Sequence, residues 1–592
     1  MFVLLDNSSG SGPASLLFTE PRLVVSAQRP DEIAGALGQI ETALGNGLYA
    51  AGFLTYELGY ALEPRLAARL PASRRLPLLW FGVFDPPHAL SETQVLAFLA
   101  SKGEGATTGP ITPDLSATDY AARFAQAHQM ISAGDIYQLN LTFKVRFQLS
   151  GAPLAFYAGL RQRQPVAHGA VVDTGAATIL SLSPEQFFAR DGQSVTSRPM
   201  KGTAARGTTP ETDALARAAL GADPKQRAEN LMIVDLMRND IGRMAEIGSV
   251  AVTDLFTVET YRSVHQMTSG VTARLRKDAG LREMLCALFP PGSVTGAPKI
   301  RAMELISDLE AEPRGVYCGA IGYFGPGDVA RFNVAIRSPV IFASGSAEMG
   351  VGSGVIADST AQSEYDECLL KMKFLTPDGA GFDLIETMLF EPGKGLWLLD
   401  RHLERLARTA RYFGFWYCEP NIRQVLEERT KASGGTRSRV RMLLSETGAI
   451  SITIVPLPPA APDAAMCYVL ADAPIDSTDP FLAHKTTNRQ RYDGDWQRLA
   501  EATGAGEVIY VNERGELTEG SRTNVFIERD GVLLTPPTAC GVLPGVLRAE
   551  LLATGRAREA VLGLADLGPG ARVFLGNSVR GLVRAEGPGT SD

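Results

Sequence analysis

The feature that most constrains the fold is a break in the pattern. Thr376-Pro377-Asp378-Gly379-Ala380-Gly381 separates an amphipathic run, Ser363 to Leu375, from a fresh apolar strand pattern, Phe382 to Phe390. Proline and glycine at these positions stop a helix and free the chain. The 592 residues are therefore expected to form a domain over 1–375, a linker at 376–382 and a domain over 383–592. One core could not serve such a chain, since domains hold roughly 100–250 residues each. A second proline-rich stretch, Pro456-Leu457-Pro458-Pro459-Ala460-Ala461-Pro462, is expected to join two lobes of the C-terminal part.

Composition then excludes several classes of function. A net charge of −8 lacks the Lys and Arg excess that a phosphate backbone requires, so nucleic acid is not a partner. The start, Met1-Phe2-Val3-Leu4-Leu5-Asp6, reaches an acid before any base, which argues against a secretory signal. No apolar run approaches the ~18–20 residues of a membrane span. The six cysteines show no CxxC pair and read as reduced, mostly buried thiols. Together these imply a cytoplasmic location.

Local patterns place the chemistry. Strands are expected over 51–57, 78–84, 137–147 and within 165–200, a loop over 101–116, and helices over 119–132 and 228–244. On the last of these Glu229 shares a face with Met232, Ile233 and Leu236. A further helix, opened by Ser359 and Gln362 as a capping box, sets Glu367 on one face with Leu370 and Phe374, with Glu364 one turn back. Carboxylates on apolar faces need compensation, either by arginines such as Arg227 and Arg238 or by Mg²⁺, which takes one or two carboxylates plus substrate oxygens. Gly350-Val351-Gly352-Ser353-Gly354 reads as a turn or as a loop whose N–H groups receive an anion. Gly292 to Lys299 lacks the spacing and the Lys-Ser/Thr ending of a phosphate loop, which excludes nucleoside triphosphates. Finally, Lys201 in Pro199-Met200-Lys201-Gly202-Thr203 and Lys485 in His484-Lys485-Thr486-Thr487-Asn488-Arg489 are candidate nucleophiles, because a desolvated amine attacks electrophilic carbon at neutral pH.

Residues from about 120 to 375 resemble the chorismate-utilising enzymes. The blocks that carry the resemblance are Gly134 to Leu141 (GDIYQLNL), Ser183-Pro184-Glu185, Arg198 to Thr203, Glu229 to Gly242 (ENLMIVDLMRNDIG), Gly292 to Lys299 and Gly352 to Glu367. The region before residue 120 matches loosely. The resemblance implies an α/β layered fold of two stacked, mostly antiparallel sheets. Anthranilate synthases carry alanine at the position of Lys201, and aminodeoxychorismate synthases carry lysine. The implied roles are Lys201 as nucleophile at chorismate C2, Glu185 as general acid and then base, and Glu229 and Glu367, with Glu364 as the runner-up, as Mg²⁺ ligands. Gly202, Thr203, His265, Thr295, Tyr317, Arg337, Gly352 and Gly354 would contact substrate, with Arg337 on the enolpyruvyl carboxylate. No glutaminase is visible in the chain, so a glutamine amidotransferase partner is expected to supply ammonia.

Residues 382–592 resemble the fold-type IV pyridoxal-phosphate enzymes, a two-lobed α+β group of lyases and aminotransferases. The blocks are Leu398 to Leu406, His484 to Arg489, Leu517 to Asn524, Gly541 to Arg548 and Gly576 to Gly581. The opening strand of typical members is expected to be missing. By the resemblance Lys485 carries pyridoxal 5′-phosphate, Glu519 pairs with the pyridine nitrogen, and Arg405, Val546, Leu547 and Ser578 hold the phosphate. Asn577 to Gly581 looks like lyase sequences, and relatives pair across their active sites, so a homodimer through this domain is possible. The expectation is a bifunctional enzyme making 4-aminobenzoate from chorismate through aminodeoxychorismate. The alternatives are a branched-chain or D-amino acid aminotransferase in the second domain, an anthranilate- or isochorismate-type first domain, and a catalytically decayed sensor. The last would lack some of Lys201, Glu185, Lys485 and Glu519, and all four are present.

Overall fold

The protein is seen in a computed structural model that describes residues 1–9, 13–103, 105–207, 210–261, 264–375, 382–432, 435–446, 448–458 and 465–587. The expected linker at 376–382, except Phe382, and Pro459 to Pro462 lie outside these. The chain separates into two compact units: Met1–Ala204 with Arg217–Asp378, and Ala205–Ala216 with Gly379–Asp592.

Two sheets of eleven and ten strands build the first unit, and their pairings are mostly antiparallel. Strand alternation explains the layering. In Phe2–Asp6, Val3 joins Phe18, Phe53, Trp80, Val172 and Ile179 in a core drawn from both sheets. Phe2 and Leu4 point the other way, into a core shared with Leu139, Leu141, Phe143, Val145 and Phe147 of the long strand Gln138–Gly151 and with helix residues Tyr120, Phe124 and Tyr157. The outer face of the second sheet is covered by Pro30–Gly45, Pro224–Gly242 and Leu281–Leu288, through Ile33, Ile40, Ile233, Met237 and Leu285. Both sheets are thus sandwiched between helices, the expected layered α/β architecture.

Several expected boundaries shift for local reasons. The helix read as 119–132 starts at Ala117, because the Ser116 hydroxyl accepts the Asp119 N–H. The helix read as 228–244 is Pro224–Gly242, capped by Asp223 with proline in its first turn. The Ser359/Gln362 capping box is not formed. Thr360 caps Ala361–Met372 by accepting the Ser363 N–H, while Ser359 Oγ accepts from Ile356 N. Within the expected loop 101–116, Ala106–Thr108 and Thr112–Pro113 add to the edge of the long strand. The glycine row 350–354 is not a loop. It lies inside strand Ser346–Val355, with Gly352 opposite Thr142 and Gly354 opposite Asn140.

The second unit has two lobes. In one, Leu384–Glu391 pairs with Gly395–Leu396 and Ser438–Leu444, Ile450–Pro456 extends the sheet, and Leu399–Phe413 packs on it. In the other, eight strands include a ring that closes where Glu519 pairs with Asn524. Met466–Leu470 in that ring runs parallel to two neighbours. The cysteines are all free thiols; Cys318, Cys368 and Cys540 are buried, whereas Cys467 is exposed. Among the described residues no helix is long and apolar enough to cross a membrane.

Candidate active sites

Lys201 lies in strand Met200–Ala205 of the ten-stranded sheet, and its amine reaches the glycine row of the other sheet. A methyl group built on Gly354 would stand 2.7 Å from Lys201 Nζ and 3.2 Å from Gln138 Nε2. Lys201 Nζ is 3.5 Å from Glu229 Oε2, which rises from helix Pro224–Gly242. Glu185, 4% exposed, accepts a 2.7 Å hydrogen bond from Ser293 Oγ. Burial pushes its carboxyl up to about 7, against the pull of Ser293, the Met200 N–H and Lys201. A group balanced there can give a proton near neutrality and take one back.

The remaining expected contacts divide by what they already do. Arg337 makes no hydrogen bond or ion pair through its guanidinium among the described residues, and burial holds its pKa down. Tyr317 is buried and packs against Gly350, where a methyl group would meet its ring at 2.1 Å. Gly352 O accepts Lys371 Nζ at 2.9 Å on the side of the strand away from Gln138–Gly151. In a strand a residue's N–H and C=O point the same way, so the Gly352 and Gly354 N–H groups face that unpaired edge. His265 is buried and contacts Thr260 Oγ1 through Nδ1. Thr295 is fully buried and donates to Pro291 O, which shapes its own loop. Gly202 is buried at φ 105° against Gln226 and Met267, and Thr203 is exposed.

The carboxylates expected to hold Mg²⁺ are engaged differently from the expected arginine pairing. Arg238 pairs with Asp235 and Arg227 stacks on Phe256. Glu229 faces Lys201, while Glu367 faces Lys371 at 2.6 Å and is half exposed, so it is not on a buried face. Leu370 beside it is also exposed. Glu364 lies in the first turn of the same helix as Glu367. Among the described residues no three His, Cys, Asp or Glu side chains are gathered as a metal cluster. Two or three hard oxygen donors fit Mg²⁺ only if substrate oxygens complete its shell, which is how that ion is commonly held. Sequence reasoning missed Ser293 and Gln138. Gln138 is 1% exposed, and both atoms of its amide lack a partner. Its place in the GDIYQ block was the available signal.

The second site surrounds Lys485. Burial and the Arg489 and Arg405 charges lower its amine to about 7, and it has no ion pair among the described residues. The Ile385 N–H donates to its carbonyl at 2.8 Å, which fixes the segment against strand Leu384–Glu391. Glu519, buried and raised to about 7 by desolvation, accepts from Tyr492 Oη at 3.1 Å and from Leu543 N at 3.0 Å. Arg405 lies on helix Leu399–Phe413 one turn after His402. Its Nε and Nη2 donate to Glu386 at 3.0 and 2.6 Å, and His402 Nδ1 meets the same carboxylate at 2.5 Å. Arg405 Nη1 has no hydrogen-bond partner among the described residues. Helix Val546–Ala553 begins at Gly545 with no side-chain cap, so the first N–H groups at Val546 and Leu547 are open to phosphate. Gly545 is required there, because a methyl group would lie 1.9 Å from Asn524 Oδ1. Ser578 is buried, its hydroxyl donated to Thr387 O at 3.2 Å. The cradle fits a phosphorylated pyridine: an amine, a carboxyl and an uncapped helix start beside a half-used guanidinium. Glu386, His402, Tyr492 and Asn524 went unread in the sequence.

Residues 7–377 match the family model described as chorismate binding enzyme, and residues 383–586 match amino-transferase class IV. An aminodeoxychorismate synthase of Streptomyces griseus is 44% identical over 266 residues, 45% of this chain and 37% of that relative. Aminodeoxychorismate synthase component 1 of Klebsiella aerogenes is 36% identical over 341 residues, 55% of this chain and 75% of that relative. The crystal structure of anthranilate synthase component I from Streptococcus pneumoniae is similar with a TM-score of 0.53 at 28% identity, covering 63% of this chain and 94% of that one. The chain thus spans little more than a third of the Streptomyces griseus relative.

Proposed function

The chain belongs to the chorismate binding enzyme family, and from that membership we propose a cytoplasmic, bifunctional enzyme that makes 4-aminobenzoate from chorismate. The observation that carries the reading is the placement of Lys201, its amine between Glu229 and the glycine row with Glu185 nearby. An amine there distinguishes para amination from ortho amination, because a covalent intermediate at C2 directs the nitrogen to C4.

In the first unit Arg337 and the Gly352 and Gly354 N–H groups take the enolpyruvyl carboxylate. Glu229 and Glu367, with Glu364, would hold Mg²⁺, which neutralises charge on the ring carboxylate. Lys201 Nζ bonds to C2, the ring double bonds shift, and the C4–O bond breaks with Glu185 delivering the proton to the departing hydroxyl. Ammonia then bonds to C4, the electrons return and expel Lys201, and Glu185 accepts a proton from the new amine. A separate glutamine amidotransferase is the ammonia source.

In the second unit Lys485, Glu519, Arg405, Ser578 and the N–H groups of Val546 and Leu547 would hold pyridoxal 5′-phosphate, whose ring supplies an electron sink when bound. Lys485 removes the proton at ring C4 of aminodeoxychorismate, pyruvate leaves as the ring aromatises, and the same amine returns a proton to it. Glu519, which Tyr492 and the Leu543 N–H orient, would face the pyridine nitrogen and favour its protonated form.

The class IV match also accommodates an aminotransferase. Incubation with branched-chain or D-amino acids and 2-oxoglutarate separates the two, since rapid keto-acid formation would favour that reading. The main test is chorismate, ammonium and Mg²⁺ with the cofactor-loaded chain, followed by 4-aminobenzoate release. Lys201→Ala is expected to abolish the para product or divert it toward ortho amination; unchanged turnover to 4-aminobenzoate would remove the covalent step.

A further inference from the structure

Three arginines rim the second site, and two of them have no carboxylate partner. Arg489 follows Lys485 by four residues; its Nε pairs with Asp493 at 3.1 Å, and Nη2 donates to Ser521 O. Arg522 comes next to Ser521. Its guanidinium lies 3.9 Å over the Trp496 ring. Asn577 ties the third member to the second: its Nδ2 donates to Arg522 O at 3.1 Å, and its Oδ1 accepts the Arg580 N–H at 2.9 Å. Neither Arg522 nor Arg580 forms an ion pair among the described residues, and the strongest side-chain contact of Arg580 is a 3.9 Å approach to Met466 Sδ.

This arrangement is held from below. Glu507, 1% exposed, accepts from Ser521 Oγ, from Thr523 Oγ1 at 2.8 Å and from the Arg522 N–H at 3.2 Å, so its hydrogen bonds hold the turn. Burial lowers the Arg522 pKa, the nearby Glu507 and Asp493 charges oppose that, and the Arg489 and Arg580 charges add to it. Like charges kept together on a fixed turn, with one of them on an aromatic face, store an attraction for an anion. Ser578 of the expected phosphate cradle lies between Asn577 and Arg580 in the chain, and Tyr492 connects the Arg489 helix to Glu519. The cluster therefore lies beside the expected cofactor cradle: the Arg489 charge acts on Lys485 and on Glu519, and Arg522 and Arg580 stand next to Arg489 and to each other.

We propose that Arg522 and Arg580, with Arg489 behind them, are the specificity site of the second unit, selecting a small planar substrate that bears two carboxylates. The occupant's identity as aminodeoxychorismate rests on the lyase reading; the preference for a dicarboxylate does not. A branched-chain amino acid would leave two guanidinium groups unpaired. Bidentate pairing suits carboxylates in a ring plane, and Trp496 offers a parallel surface.

The test titrates the full, cofactor-loaded chain with benzene-1,3-dicarboxylate and with benzoate at one ionic strength, following the visible absorbance of the bound cofactor. That readout reports the second site alone. The dicarboxylate should bind at least tenfold tighter than benzoate. Arg522→Ala and Arg580→Ala should each remove most of that difference while leaving the cofactor spectrum and thermal midpoint unchanged, and Arg580→Lys should retain part of it. Equal affinity for the two probes, or a preference that survives both alanine variants, overturns the proposal. Aminodeoxychorismate is offered to the same preparations. Failure to release 4-aminobenzoate with the dicarboxylate preference intact counts against the lyase reading and leaves the specificity site standing.

Discussion

Glu386 offers the sharpest physical prediction. It sits on the apolar face of its strand with Leu384 and Met388, 1% exposed, and is compensated by Arg405 and His402. Those partners outweigh desolvation and hold its carboxyl down at about 2, against an ordinary 4.5. A folded-state pKa below the unfolded one stabilises the fold above pH 4.5, and that stability is lost as pH falls toward 2. At about 1.4 kcal/mol per pKa unit the gap corresponds to ~3 kcal/mol. Glu386→Gln keeps the shape, removes the charge, and leaves Arg405 buried without its partner, a change that typically costs about 3–5 kcal/mol. For a unit of this size each kcal/mol moves the midpoint by roughly 2–4 °C. Calorimetry at pH 7 on the cofactor-free chain should therefore show the second unit's transition drop by about 6–20 °C. The double variant Glu386→Gln/Arg405→Met should recover much of it, because no buried charge remains unpaired. A single variant as stable as the parent, or a double variant no better than the single, would refute the reasoning.

Two further predictions concern the first unit. Gly354→Ala places a methyl group 2.7 Å from Lys201 Nζ, the far end of a flexible side chain. Stability should stay within about 1 kcal/mol in denaturant titration while amination falls at least a hundredfold. Ser293→Ala removes a hydrogen bond that favours ionised Glu185. The carboxyl should rise further above 7, so the basic limb of the kcat/KM profile for amination should move to higher pH; a limb that moves down or stays would separate Glu185 from the proton transfer.

What the sequence made legible was periodic or local. The expected strand at 137–147 is there as Gln138–Gly151, although its first six residues are buried on both faces. Capping residues located helix starts to within a few residues, with Thr360 displacing Ser359 because only its hydroxyl meets the third N–H of the helix. The glycine row failed locally. Glycine usually argues against a strand, but here its missing side chains admit Tyr317, Thr142 and Lys201 against the backbone. Contacts between distant segments were invisible in principle. Ser293 meets Glu185 across 108 positions, and Glu386 meets Arg405 across 19. Residue type alone could not say that Glu367 would face Lys371 in half-exposed surroundings.

The two sites share one physical device. Each sets a lysine near a carboxyl that burial has lifted to about 7, Glu185 in one and Glu519 in the other. Burying such groups disfavours their charged forms, and the stabilisation is restored only when a ligand brings complementary charge. On the proposed reading, the complementary charges in the second unit would be a cationic pyridine nitrogen at Glu519 and a phosphate at the helix start at Val546. In the first, Arg337, whose pKa burial lowers, and the Gln138 amide, whose two atoms have no partner among the described residues, are the groups that the proposed anionic ring would satisfy. Apolar burial around these groups is thus not incidental packing. It keeps the Lys485 amine and the two acids near the balance point at which a proton can move either way, at the expense of a resting state less satisfied than the liganded one.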